Sequence, residues 1–161
     1  MVKRQRLERD TMIRDDIKAA TIVAMKAKDA ARLGTLRLIS SALKNKDIEL
    51  RTGTAPADDN VLVADVLTKM AKQRRESIEM FVAGNRPELA DAERAELGVI
   101  EGFMPQRMAA GEAEAVVREL VTELGASGIK DMGRVMAALR ERFAGQIDMS
   151  SASAMVKAAL Q

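Results

Sequence analysis

The sequence predicts an all-α fold in two parts, a four-helix N-terminal subdomain followed by a three-helix tail, and three observations carry that expectation. Apolar residues recur at threes and fours along most of the chain, no segment shows the alternation of a half-buried strand, and Ala and Leu, both strong helix formers, dominate the apolar set.

Residues 1–11 are Arg-rich and lack apolar periodicity, so they read as a disordered extension, with Met12 as an alternative start to Met1. Asp10 or Thr11 is placed to cap a first helix whose face carries Ile13, Ile17, Ala20 and Ala24. A second helix follows over Ala30 to Arg51, with Leu36, Ile39, Leu43 and Leu50 inward. The stretch Gly53 to Asn60, with Pro56 and two Asp, is the clearest loop.

The third helix is expected from about Val61 to Ala83, with Val63, Leu67, Met70, Arg74, Ile78 and Phe81 on one stripe and Gly84 as its C-terminal stop. Pro87 suits a first helical turn, and Leu89, Ala92, Leu97, Ile100 and Phe103 make the fourth stripe, halted by Pro105. Residues 12–108 thus form the first subdomain, and Ala109-Ala110-Gly111 reads as a hinge to the tail, 109–161. Val116, Val117, Leu120, Val121 and Leu124 mark a fifth helix that Gly125 ends.

Two short helices then open with the same phrase, Asp131-Met132-Gly133 and Asp148-Met149-Ser150, each Asp placed to cap a first turn. Counting on from each Asp, Ala137 answers to Ala154, Leu139 to Val156, Arg140 to Lys157 and Phe143 to Leu160. A tail of about fifty residues buries a small share of its surface, so it must pack on the first subdomain or depend on Phe143 and its Met neighbours.

Composition narrows the chemistry. Of 161 residues 47% are apolar, ample for a core, yet the aromatics are only Phe81, Phe103 and Phe143, so the core is aliphatic and rich in Met, of which there are eleven. Cys and His are absent, which removes thiolate nucleophiles, disulfides, imidazole acid–base work and the usual zinc or iron ligands. No apolar run approaches the roughly 20 residues of a membrane span and no secretory leader opens the chain, so a cytoplasmic protein is expected, without membrane, metal or cofactor. Charge is uneven: thirteen Lys and Arg against seven acids in residues 1–51, six against ten in 52–104, and seven against seven beyond. An electrostatic partner would meet the first part, the alternative being a merely solvated helix surface.

Arg74 interrupts an apolar stripe, and a guanidinium there needs carboxylate or carbonyl partners. Asp47 or Glu49 on the second helix, or Glu96 or Glu101 on the fourth, would make it a structural brace. Alternatively Lys69, Lys72 and Arg75, on neighbouring turns and extended by Arg37, Lys44 and Lys46, would capture phosphate, diluted by Glu76 and Glu79. Without aromatics to stack bases, nucleic-acid binding must proceed by shape and backbone charge. Ser150, Ser151 and Lys157, and Ser40, Ser41 and Lys44, fail as amidase triads because no Gly-rich loop offers an oxyanion hole. Asp15-Asp16 and Asp58-Asp59 lack calcium-loop spacing, and the glycines at 128, 133 and 145 follow no strand and precede no Gly-Lys-Ser. Gly133, one turn into a helix, is expected where another backbone comes close, either the next helix or an RNA phosphate.

The tail phrases, together with Leu36-Arg37-Leu38-Ile39, Lys44-Asn45-Lys46-Asp47-Ile48, Lys72-Gln73-Arg74-Arg75-Glu76-Ser77-Ile78 and Val99-Ile100-Glu101-Gly102-Phe103-Met104-Pro105, resemble the landmarks of the GatB/YqeY family from Met12 to Leu160. Toward the B subunit of the glutamine-dependent aminoacyl-tRNA amidotransferase the resemblance rests on Gly133, Val135, Met136 and Gly145. It implies an all-α fold, kinship with a carbon–nitrogen ligase that takes its amide nitrogen from glutamine, and tRNA or amidotransferase subunits as partners. The residues themselves supply no nucleophile, base or ATP site, so an accessory tRNA-associated protein is the leading expectation and a helical protein-interaction module the alternative. Lys130, Arg134, Arg140 and Lys157 are the expected RNA contacts of the tail, with Lys69, Lys72 and Arg75 upstream, and Arg74, Gly133, Asp131 and Asp148 in structural roles.

Overall fold

The computed structural model describes residues 12–105, 107–143 and 145–161, and among these the only regular structure is helical, without a strand. We label the helices α1 (Ile13–Lys26), α2 (Ala30–Glu49), α3 (Asp59–Ala83), α4 (Pro87–Phe103), α5 (Ala110–Glu123), α6 (Met132–Phe143) and α7 (Met149–Ala159), with a 3-10 turn at Ile129–Asp131. The chain divides into two compact units between Met104 and Pro105. No described helix is long and apolar enough to cross a membrane.

In the first unit, Ile17 and Ala24 of α1, Leu36, Ile39 and Leu43 of α2, Leu62, Val63, Leu67, Met70 and Ala71 of α3, and Ile100 of α4 form one buried cluster. Leu50 is only half-buried, because it caps α2 as the chain turns away. Ala92 is exposed, contrary to its expected inward position, and Ala90 is buried instead. The reason lies in phase: the covered seam of α4 runs through Ala90, Glu93, Leu97 and Ile100, and Ala92, about 200° around the helix from Ala90, faces away from it.

Helix ends depart from the sequence expectations in instructive ways. Met12, which has no capping side chain, occupies the N-cap of α1; Asp10 and Thr11, the expected caps, lie outside the described residues, as does the extension over 1–11. The Ile13 N–H donates instead to Asn60 Oδ1 at 2.9 Å, joining the starts of α1 and α3. Asp29 and Asp58 cap α2 and α3 by accepting from the Arg32 and Asn60 amides. At the end of α3 the left-handed residue is Asn85, with φ 55°, rather than Gly84, and the Arg86 N–H reaches back to the Phe81 carbonyl at 2.8 Å. Asn tolerates that conformation better than most residues, which is why the motif closes one residue late.

The second unit has its own core: Ala113, Val117 and Leu120 of α5, Val135 and Leu139 of α6, Ile147, and Ala152, Val156 and Leu160 in and just after α7. Phe143 and five Met, Met108, Met132, Met136, Met149 and Met155, pack around it. Flexible thioethers fill the gaps that three short helices leave. Of the Ala109-Ala110-Gly111 segment, Ala109 is the N-cap of α5 and Ala110 and Gly111 are its first residues. Gly125, with φ 61°, does end α5, its left-handed conformation letting the Ala126 N–H reach the Val121 carbonyl.

The two tail phrases differ in use. Asp148 caps α7, accepting from the Ser151 N–H. Asp131 closes the 3-10 turn and accepts from the Ser127 N–H at 3.0 Å, so it braces the preceding loop and caps no amide of α6. Leu139 and Val156 are buried and Arg140 and Lys157 exposed, matching in register, whereas Ala137 and Ala154 face solvent. Gly133 is exposed, and a Cβ built on it meets nothing within 4 Å, so the close approach expected of it is not there.

Candidate nucleic-acid interface

The basic residues of α3 are largely spoken for. Arg74 is only 19% exposed, and its Nε lies 2.6 Å from a Glu96 oxygen and 3.5 Å from Glu93. Neither contact has hydrogen-bond alignment, and both Arg74 Nε and Glu93 Oε2 are buried without a hydrogen-bond partner, so the group is held by charge rather than by directed bonds. This is the brace, drawn from α4; Asp47, another expected partner, pairs with Arg14. Arg75 meets Glu101 at 2.7 Å, and Lys72 lies 3.9 Å from Glu76. Lys69 lines a groove of about 380 Å³ between α2 and α3, where Lys46, Asn45 and Gln73 are accompanied by Glu49 and Asp65. Opposite charges cancel there, and Lys46 is itself 3.2 Å from Glu49.

The tail set is exposed but dispersed. Lys130 lies in the 3-10 turn, Arg134 and Arg140 on α6, and Lys157 on α7. Arg134 is 3.4 Å from Asp131. Six residues separate Arg134 from Arg140, so they point about 120° apart around α6. The Ser150 and Ser151 hydroxyls both donate to Asp148, at 2.7 and 2.9 Å, which makes them parts of a cap. Those two hydroxyls, with the Ser151 amide and the nearby Arg107, hold the Asp148 carboxyl below its ordinary pKa against a small opposing desolvation.

The structure sets apart a different group of cations on α2 and in the turn just after it. Arg37, Lys44 and Arg51 are exposed, and among the described residues none of them makes an ion pair. Arg37 and Lys44, seven residues apart on α2, share one flank with a drift of about 20° and lie roughly 10.5 Å apart along it, and Arg51 follows in the turn beyond the Leu50 C-cap. Lys46, two residues on from Lys44, is turned about 200° away, into the groove with α3. Lys26, Lys28 and Arg32, around the α1–α2 turn, are also exposed and without an ion pair among the described residues. In residues 12–51, nine Lys and Arg face five acids.

The sequence expectation makes Arg37 and Lys44 extensions of an α3 patch; the seven-residue interval between them is the signal that gives them a flank of their own. Chemically, such a set can neutralise phosphates in sequence but cannot read bases, because Phe81, Phe103 and Phe143 are all half-buried. Among the described residues no group of three metal-type donors converges.

Comparison with known proteins identifies a family and a set of relatives. Residues 13–160 match the family model described as "Yqey-like protein". Among curated relatives, "Altered inheritance of mitochondria protein 41, mitochondrial" of Lachancea thermotolerans is 36% identical over 114 residues, 70% of this chain and 57% of that protein. Proteins of the same name in Saccharomyces cerevisiae strain YJM789 and in Eremothecium gossypii are 32% and 34% identical, covering 65% and 64% of this chain and 52% and 58% of their own lengths. The matched region thus spans little more than half of each of these relatives.

Proposed function

The chain belongs to the YqeY-like protein family, and from that membership we propose that it acts as a non-catalytic docking protein that holds tRNA through the phosphate backbone. The observation that carries this reading is the set formed by Arg37 and Lys44 on one flank of α2 and Arg51 in the turn after it, three exposed cations with no carboxylate paired to them among the described residues. Polyelectrolyte theory states the consequence: each phosphate neutralised releases counterions, so affinity falls steeply with salt. Absence of exposed aromatics favours a folded duplex body over single strands, which are gripped mainly by stacking. Amide transfer, if the protein has a part in it, would then belong to catalytic subunits docked beside it.

Titration of fluorescent tRNA at several salt concentrations tests this. Replacing Arg37, Lys44 and Arg51 by Gln should flatten the log–log salt slope by about 2 to 3, as three lost phosphate contacts require. The reading fails if tRNA binds no better than an unrelated polyanion, or if the triple variant titrates like the parent. The same titration with Lys130, Arg134, Arg140 and Lys157 changed to Gln measures what the tail adds.

A second reading, docking on another protein such as an amidotransferase subunit, draws on Met80 and Val82, which stand 73% and 55% exposed near the end of α3. A defined protein retained on an affinity column after nuclease treatment, with no tRNA needed, would favour it.

A further inference from the structure

The C-terminal half of α1 carries apolar side chains that nothing in the first unit covers. Ile22, Val23 and Met25 are 51%, 65% and 53% exposed, beside Ala19, which is also exposed. The buried residues of the same helix, Ile17 and Ala24, point to the opposite side. Within one turn, Lys26 ends the helix, Lys28 makes the following turn and Arg32 opens α2, all exposed and without an ion pair among the described residues. The acids of α1 are elsewhere: Asp15 and Asp16 lie in its first turn. Asp29, the one acid at the tip, spends its carboxylate on capping α2 through the Arg32 amide.

We propose that this hairpin tip is a peripheral docking site for an anionic lipid bilayer, with Ile22, Val23 and Met25 entering the interface and Lys26, Lys28 and Arg32 facing lipid phosphates. Two features select a bilayer over other occupants. Apolar side chains beside a cationic rim are complementary to a surface that is anionic outside and aliphatic beneath, whereas an RNA backbone gives three aliphatic side chains nothing to bury against. In addition, Met25, Ile22 and Val23 fan over about 160° around α1. A helical protein partner covers one narrow seam of a convex tip, while fluid lipid closes around it from every exposed side.

Other residues carry this inference than those assigned to tRNA, so either can fail alone. Co-sedimentation of the full chain with phosphatidylcholine vesicles, with and without phosphatidylglycerol, is the test. The protein should sediment with the anionic vesicles, release in high salt and ignore the neutral ones. Changing Lys26, Lys28 and Arg32 together to Gln should weaken binding by roughly five-fold per cation, and changing Ile22, Val23 and Met25 to Ser should weaken it about ten-fold or more while circular dichroism stays unaltered. Val23→Trp gives an independent readout, a blue-shifted emission on anionic vesicles only. Lys44 and Arg51 changed to Gln should leave vesicle binding within about two-fold, since they lie roughly 18 Å or more beyond Arg32, past a Debye length. Failure to sediment, equal binding to neutral vesicles, or an unshifted Val23→Trp emission overturns the proposal. A stable dimer that the Ser variant abolishes also overturns it, because a second copy would then cover the face.

Discussion

Arg14 is the residue whose removal the structure predicts in most detail. Its guanidinium, at 23% exposure, donates to both oxygens of Asp59 at 3.0 and 2.9 Å and to both oxygens of Asp47 at 3.0 and 3.1 Å. One side chain on α1 therefore ties the end of α2 to the start of α3, and the hydrogen bonds from Asp59, then Asp47, raise its pKa further. The two arms differ in worth. Asp59 is the less exposed, and a two-point, charge-assisted contact of that kind contributes about 1.5 kcal/mol. Asp47 is nearly half exposed, so solvent screening limits its arm to about 0.5 kcal/mol. Arg14→Ala should thus cost about 2 kcal/mol, and Arg14→Lys, which keeps the charge but loses the fork, about 1 kcal/mol. For a unit of this size each kcal/mol lowers Tm by roughly 4–8 °C. Urea unfolding followed by circular dichroism gives the totals, and hydrogen exchange over residues 12–104 assigns them to the first unit. A double-mutant cycle should return about 1 kcal/mol or more of coupling for Arg14 with Asp59 and distinctly less with Asp47. Coupling in the reverse order, or an Arg14→Ala loss below about 0.5 kcal/mol, would refute the partition by exposure.

Gly133→Ala should raise stability by up to about 1 kcal/mol, because the new methyl meets nothing and the glycine's unfolded-state entropy is removed; a loss in thermal melts would mean a close neighbour after all. Asp148→Ala should cost the α7 cap about 1 kcal/mol at neutral pH. Since the folded carboxyl titrates below its ordinary 3.8, its contribution is full above that value and lost as pH falls through the lower folded pKa, so the gap between parent and Asp148→Ala should close only in acid. Arg74→Met should destabilise the first unit by about 2 kcal/mol, chiefly by leaving Glu93 and Glu96 facing each other half-buried, and adding Glu93→Gln should recover part of that in urea titrations.

Much of the fold is legible in the chain because helical periodicity is local. Ile17, Leu36, Ile39, Leu43, Val63, Leu67, Val117, Leu139 and Val156 are buried where threes and fours place them. Periodicity also identified Arg74 as internal, and its chemistry required carboxylates; that Glu93 and Glu96 supply them, while Asp47 goes to Arg14, depends on which helix lies opposite. Ala92 is exposed because the seam of α4 follows Ala90, Glu93, Leu97 and Ile100, a phase set by packing against α3, where Glu93 meets Arg74, rather than by the apolar residues alone.

From its residues alone, then, the chain settles the all-α class, the aliphatic core, the lack of thiol and imidazole chemistry and the excess of positive charge in its first third. Which cations are left unpaired was decided in three dimensions, because pairing depends on distances between helices far apart in sequence. Arg14 and Arg75 are neutralised across helix boundaries, whereas Arg37 and Lys44 on α2 and Arg51 in the turn after it make no ion pair among the described residues. On that pattern of pairing the proposed interface rests on α2 and the turn after it, beside the tail and α3 cations that the sequence suggests.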